Sequence, residues 1–314
     1  MTPRTEARPT RIAQEDRPGA SSKSILWLAG LAGVLGLVVA GVGILMVGDA
    51  DPAVTSSIRG ETVDLYGTGL YQFDTVFHGA NNRSTDLVTL LFGLPLLVIS
   101  LRWLRTGSLR GRLLLLGTLG FFVYGSVGYA LGAVAYNDMF LVYVAYFSAS
   151  LGAFIVTFAS LFGSWHGDQA VDDLPRRGPG VFMLVSGVVV LAVWLMDPIG
   201  GLLEGEPPKG LDTYTTLFTH AFDMAVIAPA AVAAGVMILK RRWVGYVISF
   251  SLLGLEALLM PIITIGTILQ VQLGVTFTPA EVVGPIAGFS VLAVGAIGVM
   301  VAVLRRVTGS TLAS

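Results

Sequence analysis

Long apolar runs alternate along this chain with short polar ones. Eight runs dominate, at approximately residues 25–48, 86–104, 113–136, 139–163, 180–197, 213–239, 243–270 and 281–304. At about 1.5 Å of rise per residue, each is long enough as a helix to cross a hydrocarbon core of about 30 Å. The pattern predicts an all-α membrane protein, an eight-transmembrane-helix bundle. The run at 86–104 is the shortest, and Arg102 at its end can snorkel to the interface. The first inter-helix segment, 49–85, is long, and within it Leu65, Tyr66, Leu70, Phe73 and Phe77 fall near helical spacing. That spacing predicts a short interfacial helix with its aromatic face at headgroup level.

Composition agrees with the pattern. The 314 residues are 54% hydrophobic and 12% charged, against about 25% charged in a soluble domain. So few charges cannot cover a water-facing surface of this size. Residues 1–24 carry Arg4, Arg8, Arg11, Arg17, Lys23 and three prolines, and are expected to be a disordered basic tail. A signal peptide is the competing reading, but the apolar run Ile25–Gly48 has 24 residues, longer than a signal core of about 7–15. The transmembrane domain is therefore expected over 25–306, followed by a short tail at 307–314.

Charge then orients the bundle. With the N-terminus inside, 16 of the 19 basic residues fall on the cytoplasmic side: the tail, Arg102 to Arg112, Arg176 and Arg177, Lys240 to Arg242, and Arg305 and Arg306. Only Arg59, Arg83 and Lys209 remain outside. This asymmetry predicts both termini in the cytoplasm. The outer side is acidic. Asp49, Asp51, Glu61, Asp64, Asp74 and Asp86 are placed in or beside the first outer loop, and Asp197, Glu204, Glu206 and Asp212 in the third.

The halves 25–163 and 180–306 share orientation. In each, the second helix carries a proline (Pro95, Pro229) and a glycine follows 16 residues later past a basic turn (Gly111, Gly245). Two parallel four-helix halves are one reading; chance likeness between apolar sequences is the other. Small residues line helix 1 (Ala29, Gly33, Gly36, Ala40, Gly43), helix 3 (Gly125, Gly128, Gly132) and helix 8 (Gly284, Gly288, Gly295, Gly298). They allow close packing within one bundle, or a homo-oligomer through the same faces. Pro95, Pro229 and Pro261 are expected to kink their helices.

Two acidic residues fall inside apolar runs, Asp223 and Glu256. A bare charge at the bilayer centre costs about 2.5–3.5 kcal/mol on insertion scales, so such groups are functional candidates. Counting from the ends of runs six and seven places both near mid-membrane, where they are expected to meet. His220, three residues before Asp223, shares its helix face. The three side chains suit proton relay or cation binding. Against this stands a purely structural role, with Asp223 bonded to His220 and Glu256 to Ser or Thr. Asp74 and His78 form an i, i+4 pair at the expected outer mouth, or an ordinary surface pair. An outward-facing polar cavity is expected between helices 6 and 7, and Tyr129 and Tyr146 are deep enough to line it. His166, with Asp168, Asp172 and Asp173, reads as a solvated loop.

There is no cysteine, no HExxH, no GxSxG and no GxxxxGK[ST], which removes the commonest zinc, serine-hydrolase and nucleotide-binding machinery. No metal site, cofactor or nucleic-acid partner is expected; the lipid bilayer and an unknown small solute or ion are. The segments DLVTLLFGLP…RTGSLRGRLLLLG (86–117), FLVYVAYFSASLGAFI (140–155) and DMAVIAP with its basic turn (223–245) resemble a loose set of uncharacterised prokaryotic multi-pass membrane proteins. That resemblance implies a bacterial or archaeal plasma membrane and brings no activity. The functional expectation is a small-solute or ion/proton-coupled transporter. A non-catalytic subunit, assembly factor or sensor is the alternative, and a lipid-active enzyme using His220 and Asp223 is a third.

Overall fold

The computed structural model describes residues 22–48, 53–164 and 171–307. Most of the two expected tails, together with Asp49, Asp51, His166 and Asp168, lies outside these residues.

Eight helices are long and apolar enough to cross a membrane, as the hydropathy pattern requires. They are α1 (Ser22–Leu45), α2 (Val76–Arg105), α3 (Leu109–Leu131), α4 (Phe140–Ser164), α5 (Arg177–Glu204), α6 (Phe218–Leu239), α7 (Trp243–Gln272) and α8 (Pro279–Arg306). The chain is a multi-pass membrane protein with an all-α bundle. Between α1 and α2 lies a small antiparallel hairpin, β1 (Val54–Ser56) with β2 (Thr62–Asp64), pairing Thr55 with Val63. We call its side the hairpin face and the opposite side, where Arg105, Arg110, Arg241 and Arg305 cluster at helix ends, the basic face.

Helix ends are chemically marked. At α8, the Thr278 hydroxyl accepts from the Glu281 N–H while the Glu281 carboxylate accepts from the Thr278 N–H, with Pro279 at the first helical position. This reciprocal cap satisfies donors that the helix cannot. At α2, Thr75 caps by accepting from the His78 N–H.

α2 begins ten residues before the expected run, which corrects the placing of an interfacial helix and of Asp86 in a loop. The stretch Asn81–Asp86 looks polar enough to be loop, yet Asn82, Ser84 and Asp86 are buried between helices rather than turned to lipid. Upstream, Leu70 and Tyr71 sit in a short 3-10 turn, Gly69–Tyr71. α5 likewise runs past the expected end through Pro198 to Glu204, so Asp197 is helical.

Neighbours in sequence pack as hairpins: α1 with α2, α3 with α2 and α4, α6 with α5 and α7, α8 with α7; α1 also packs on α4. α7 also packs on α2 and α3, joining the two groups of four. One apolar core surrounds Leu115, Leu119, Phe121 and Phe122 in the first group, and another surrounds Leu113, Leu116, Met183 and Phe250 at the junction with the second.

The two groups keep a common register. A π-helical segment interrupts α2 at Thr89–Gly93 and α6 at Asp223–Ile227, in each case just before Pro95 or Pro229. Proline has no N–H, and its ring crowds the carbonyl one turn earlier; a wider turn relieves both conflicts. These segments lie 134 residues apart (89 to 223), as do the helix starts Leu109 and Trp243 and the left-handed turn residues Gly107 and Arg241. Gly111 packs on the backbone of Trp103 and Leu104, and Gly245 on Met237 and Ile238, at the same offset. Where α3 meets α7, a Cβ on Gly120 would strike the Ser251 carbonyl, and one on Gly254 would strike the Gly117 carbonyl. Moving 134 residues along the chain exchanges these two contacts (117 to 251, 120 to 254), so a local two-fold axis passes between α3 and α7.

Pro261 lies within a continuous α-helix, without a π segment. The small-residue stripe of α1 is internal: Gly33 meets Leu97, Gly36 meets Phe122 and Tyr146, and Gly43 meets Asp86 and Tyr71. On α8, Gly295 meets Phe182 while Gly284, Gly288 and Gly298 face open space.

Candidate functional site

The site grows from two i, i+3 pairs. Trp194 and Asp197 share one face of α5, and His220 and Asp223 share one face of α6. Because the two helices run antiparallel, the pairs interlock. The Trp194 Nε1–H donates to Asp223 Oδ2 at 2.7 Å, and His220 Nε2 lies 3.8 Å from Asp197 Oδ2. The Trp194 and His220 rings are 4.3 Å apart. From α3, the Tyr124 hydroxyl also donates to Asp223 Oδ2, at 3.2 Å. Asp223 Oδ1 is buried and, among the described residues, accepts from no group.

Above this cluster, toward the hairpin face, Asp74 Oδ1 accepts from the Tyr214 hydroxyl at 2.6 Å and from the Ala135 N–H at 2.9 Å, while Oδ2 is buried without a partner. Burial raises the Asp74 pKa to about 6, although both hydrogen bonds oppose the rise. Burial also raises Asp212 and Tyr214. His78 does not pair with Asp74 as the i, i+4 spacing suggests, because Asp74 precedes the helix. Its Nδ1 is instead 3.0 Å from Thr75 Oγ1 and 3.8 Å from Asp212 Oδ2, and its ring lies 4.3 Å from that of Tyr214. His78 and His220 interact electrostatically, as do Asp197 and Asp212, so the upper and lower clusters adjoin. A cleft of about 110 Å³ opens beside Asp197, lined also by Arg59, Met196, Gly201, Glu204 and Lys209.

Glu256 stands apart. It is buried near the middle of α7 and accepts from the Ser186 hydroxyl of α5, leaving Oε2 without a partner. Its partner Ser186 lies eight residues from Trp194 on the same helix, about 12 Å along the axis. Asp223 is five residues from the start of α6, about 7.5 Å along its axis. The two carboxyls therefore occupy different levels with different partners. No family model, curated protein or solved structure matches this chain. Its chemistry is read from its own geometry.

Tyr129 and Tyr146 belong elsewhere too. They surround Asp86 among α1–α4, with the Tyr129 hydroxyl 2.8 Å from Asp86 Oδ1. Sequence reasoning missed Asp86, Trp194, Asp197, Tyr124 and Tyr214. For Trp194 and Asp197 a signal existed, since their spacing mirrors that of His220 and Asp223 across one loop. Reading Asp197–Pro198 as a helix end concealed it.

The arrangement has a chemical sign. Asp74 Oδ2, Asp197 Oδ2, Asp223 Oδ1 and Glu256 Oε2 are all buried oxygens without a hydrogen-bond donor. An ionised carboxylate can only accept, so the oxygens suit a proton, a cation or a donor-bearing solute. Among the described residues, no three His, Asp or Glu side chains converge as metal ligands would.

Proposed function

We propose that the protein is a small-solute or ion carrier of a prokaryotic plasma membrane, coupled to protons or cations taken up at the interlocked α5–α6 site. The hairpin face is the outer face and the basic face is cytoplasmic, in keeping with the segregation of Lys and Arg. The observation that carries the reading is Asp223: buried at the first residue of a π segment, with one oxygen held by Trp194 and Tyr124 and the other open to a donor. π segments inside helices recur at functional sites because they turn side chains and free backbone groups. Ionisable residues within spans mark ion and proton routes. His220 and Asp197 link Asp223 toward Asp74, His78 and Asp212, and these acidic groups favour cationic over anionic solutes. Glu256 is a second, deeper acceptor on the same side of the bundle.

The test uses the purified chain in liposomes loaded with a pH-sensitive dye and challenged with amines, amino acids and alkali cations. At least one class should drive proton movement, and Asp223→Asn should abolish it while the protein remains folded. Absence of movement with every class, together with stoichiometric co-purification of another membrane protein, would favour the subunit reading instead.

A further inference from the structure

The first half holds a buried carboxyl that the proposed carrier site does not use. We infer that Asp86, with Tyr129 and the Asn82 carbonyl, forms a second proton-binding site, built to be satisfied with and without its proton. This stands independently of the transport reading, because proton binding is measurable whether or not a solute moves.

Asp86 lies in α2, one turn before the π segment, in the helix that corresponds to α6. Its Oδ2 accepts from the Tyr71 hydroxyl at 2.6 Å, and its Oδ1 accepts from the Tyr129 hydroxyl at 2.8 Å. The same Tyr129 hydroxyl lies 3.3 Å from the Asn82 carbonyl oxygen. Two donated hydroxyls suit an ionised carboxylate. A protonated carboxyl needs one acceptor, and Tyr129 supplies it. The Oδ1–H then donates to the Tyr129 oxygen, and the Tyr129 O–H turns from Asp86 to the Asn82 carbonyl. One proton is gained, no covalent bond elsewhere changes, and every polar hydrogen keeps an acceptor. Tyr71 donates to Oδ2 in both states.

Among the described residues, no cationic side chain pairs directly with the Asp86 carboxylate. Arg83 acts on Asp86 electrostatically, but its guanidinium donates to the Tyr66 hydroxyl at 3.2 Å and the Ile44 carbonyl at 3.4 Å. From α4, Tyr143 stacks on Tyr129 with ring centres 5.3 Å apart, and Tyr146 faces the carboxyl; Asp74 in turn acts on Tyr143. On the α1 side Gly43 gives room, since any Cβ there would collide with Asp86 Oδ2. An ionised carboxylate buried at such a place is tolerated only with compensation, and a proton is the ligand for which the hydroxyls are already arranged.

Infrared titration of the full chain in lipid tests this. Between about pH 4 and about pH 9, a protonated-carboxyl C=O band should appear on acidification together with a change in a tyrosine band. The difference between wild-type and Asp86→Asn titrations isolates this pair. Tyr129→Phe should keep the carboxyl band and lose the tyrosine change, whereas Tyr71→Phe should keep both. If Asp86→Asn does not fold, the two tyrosine variants still decide the matter. Tyrosine changes that survive in Tyr129→Phe, or that vanish equally in both variants, overturn the inference, as does an Asp86 carboxyl that stays in one state throughout.

Discussion

Asp74 shows how one residue couples the hairpin face to pH. The carboxyl is buried, and its desolvation outweighs the hydrogen bonds from Tyr214 and Ala135 that favour ionisation, so its pKa rises from 3.8 to about 6. The folded protein therefore binds a proton that the unfolded chain has lost in the intervening range. The stability this proton contributes is complete below about pH 4 and is lost as pH rises through about 6. Its size is about 3 kcal/mol, from about 1.4 kcal/mol for each decade of proton affinity. Thermal unfolding in detergent should show Tm falling over this window in the wild type and flattening in Asp74→Asn. Tyr214→Phe removes a bond to the ionised form and should move the fall to higher pH; a slope unchanged in both variants would deny Asp74 this role. At the same scale, His220 and Asp223 were legible in the sequence as polar residues in an apolar run. Asp86 was not, because polar neighbours disguised its helix as loop. Trp194 was marked only by its spacing to Asp197, and Tyr124 carries no mark in the sequence, since an aromatic residue in a span is ordinary until its hydrogen bond is seen.

The elements depend on a few close backbone approaches. Gly120 and Gly254 admit α3 and α7 to direct contact at the two-fold axis, and an added methyl at either would meet a carbonyl rather than a flexible side chain. Overpacking costs typically about 1–3 kcal/mol, so Gly120→Ala and Gly254→Ala should each lower Tm clearly. Gly125→Ala, where a Cβ meets nothing within 4 Å, should be neutral or stabilising, since alanine favours helix by up to about 1 kcal/mol over glycine. Equal effects at all three positions would show that the axis contact is not special. Eight helices were legible from hydropathy because lipid demands continuous apolar length. Their ends were less so: α2 and α5 extend through polar residues and Pro198 that protein, not lipid, surrounds. The common register of the two groups showed in the sequence only as Pro95 with Pro229 and Gly111 with Gly245. Apart from proline, the π segments and axis contacts depend on backbone geometry that many apolar sequences can supply.

On the scale of the molecule, the two halves meet along α7 and again at the hairpin face, where the α5–α6 connection crosses onto the first half. Arg59 beside the hairpin donates to the Pro207 carbonyl at 2.6 Å and to Glu204 at 3.3 Å, the Ile58 N–H donates to the Asp212 carbonyl at 3.2 Å, and Tyr214 reaches Asp74. This strap lies against Asp197, with Gly210 close to its carboxyl. Asp212 is held at φ 46°, ψ −116°, outside the regions a side-chain-bearing residue prefers, and such strain persists only where surrounding contacts enforce it. A carrier that admits a solute to Asp223 from the hairpin face must release the strap, so tying it down should stop the cycle. The chain has no cysteine of its own, and the Ile58–Asp212 backbone bond holds two positions on opposite halves side by side, which suits a cross-linking test. With Ile58→Cys and Asp212→Cys together, oxidation should abolish the solute-driven proton movement that the reduced double variant retains in liposomes, and reductant should return it to that level, while each single variant responds to neither. Full activity in completely cross-linked protein would mean that the strap is fixed architecture and that access to Asp223 opens elsewhere.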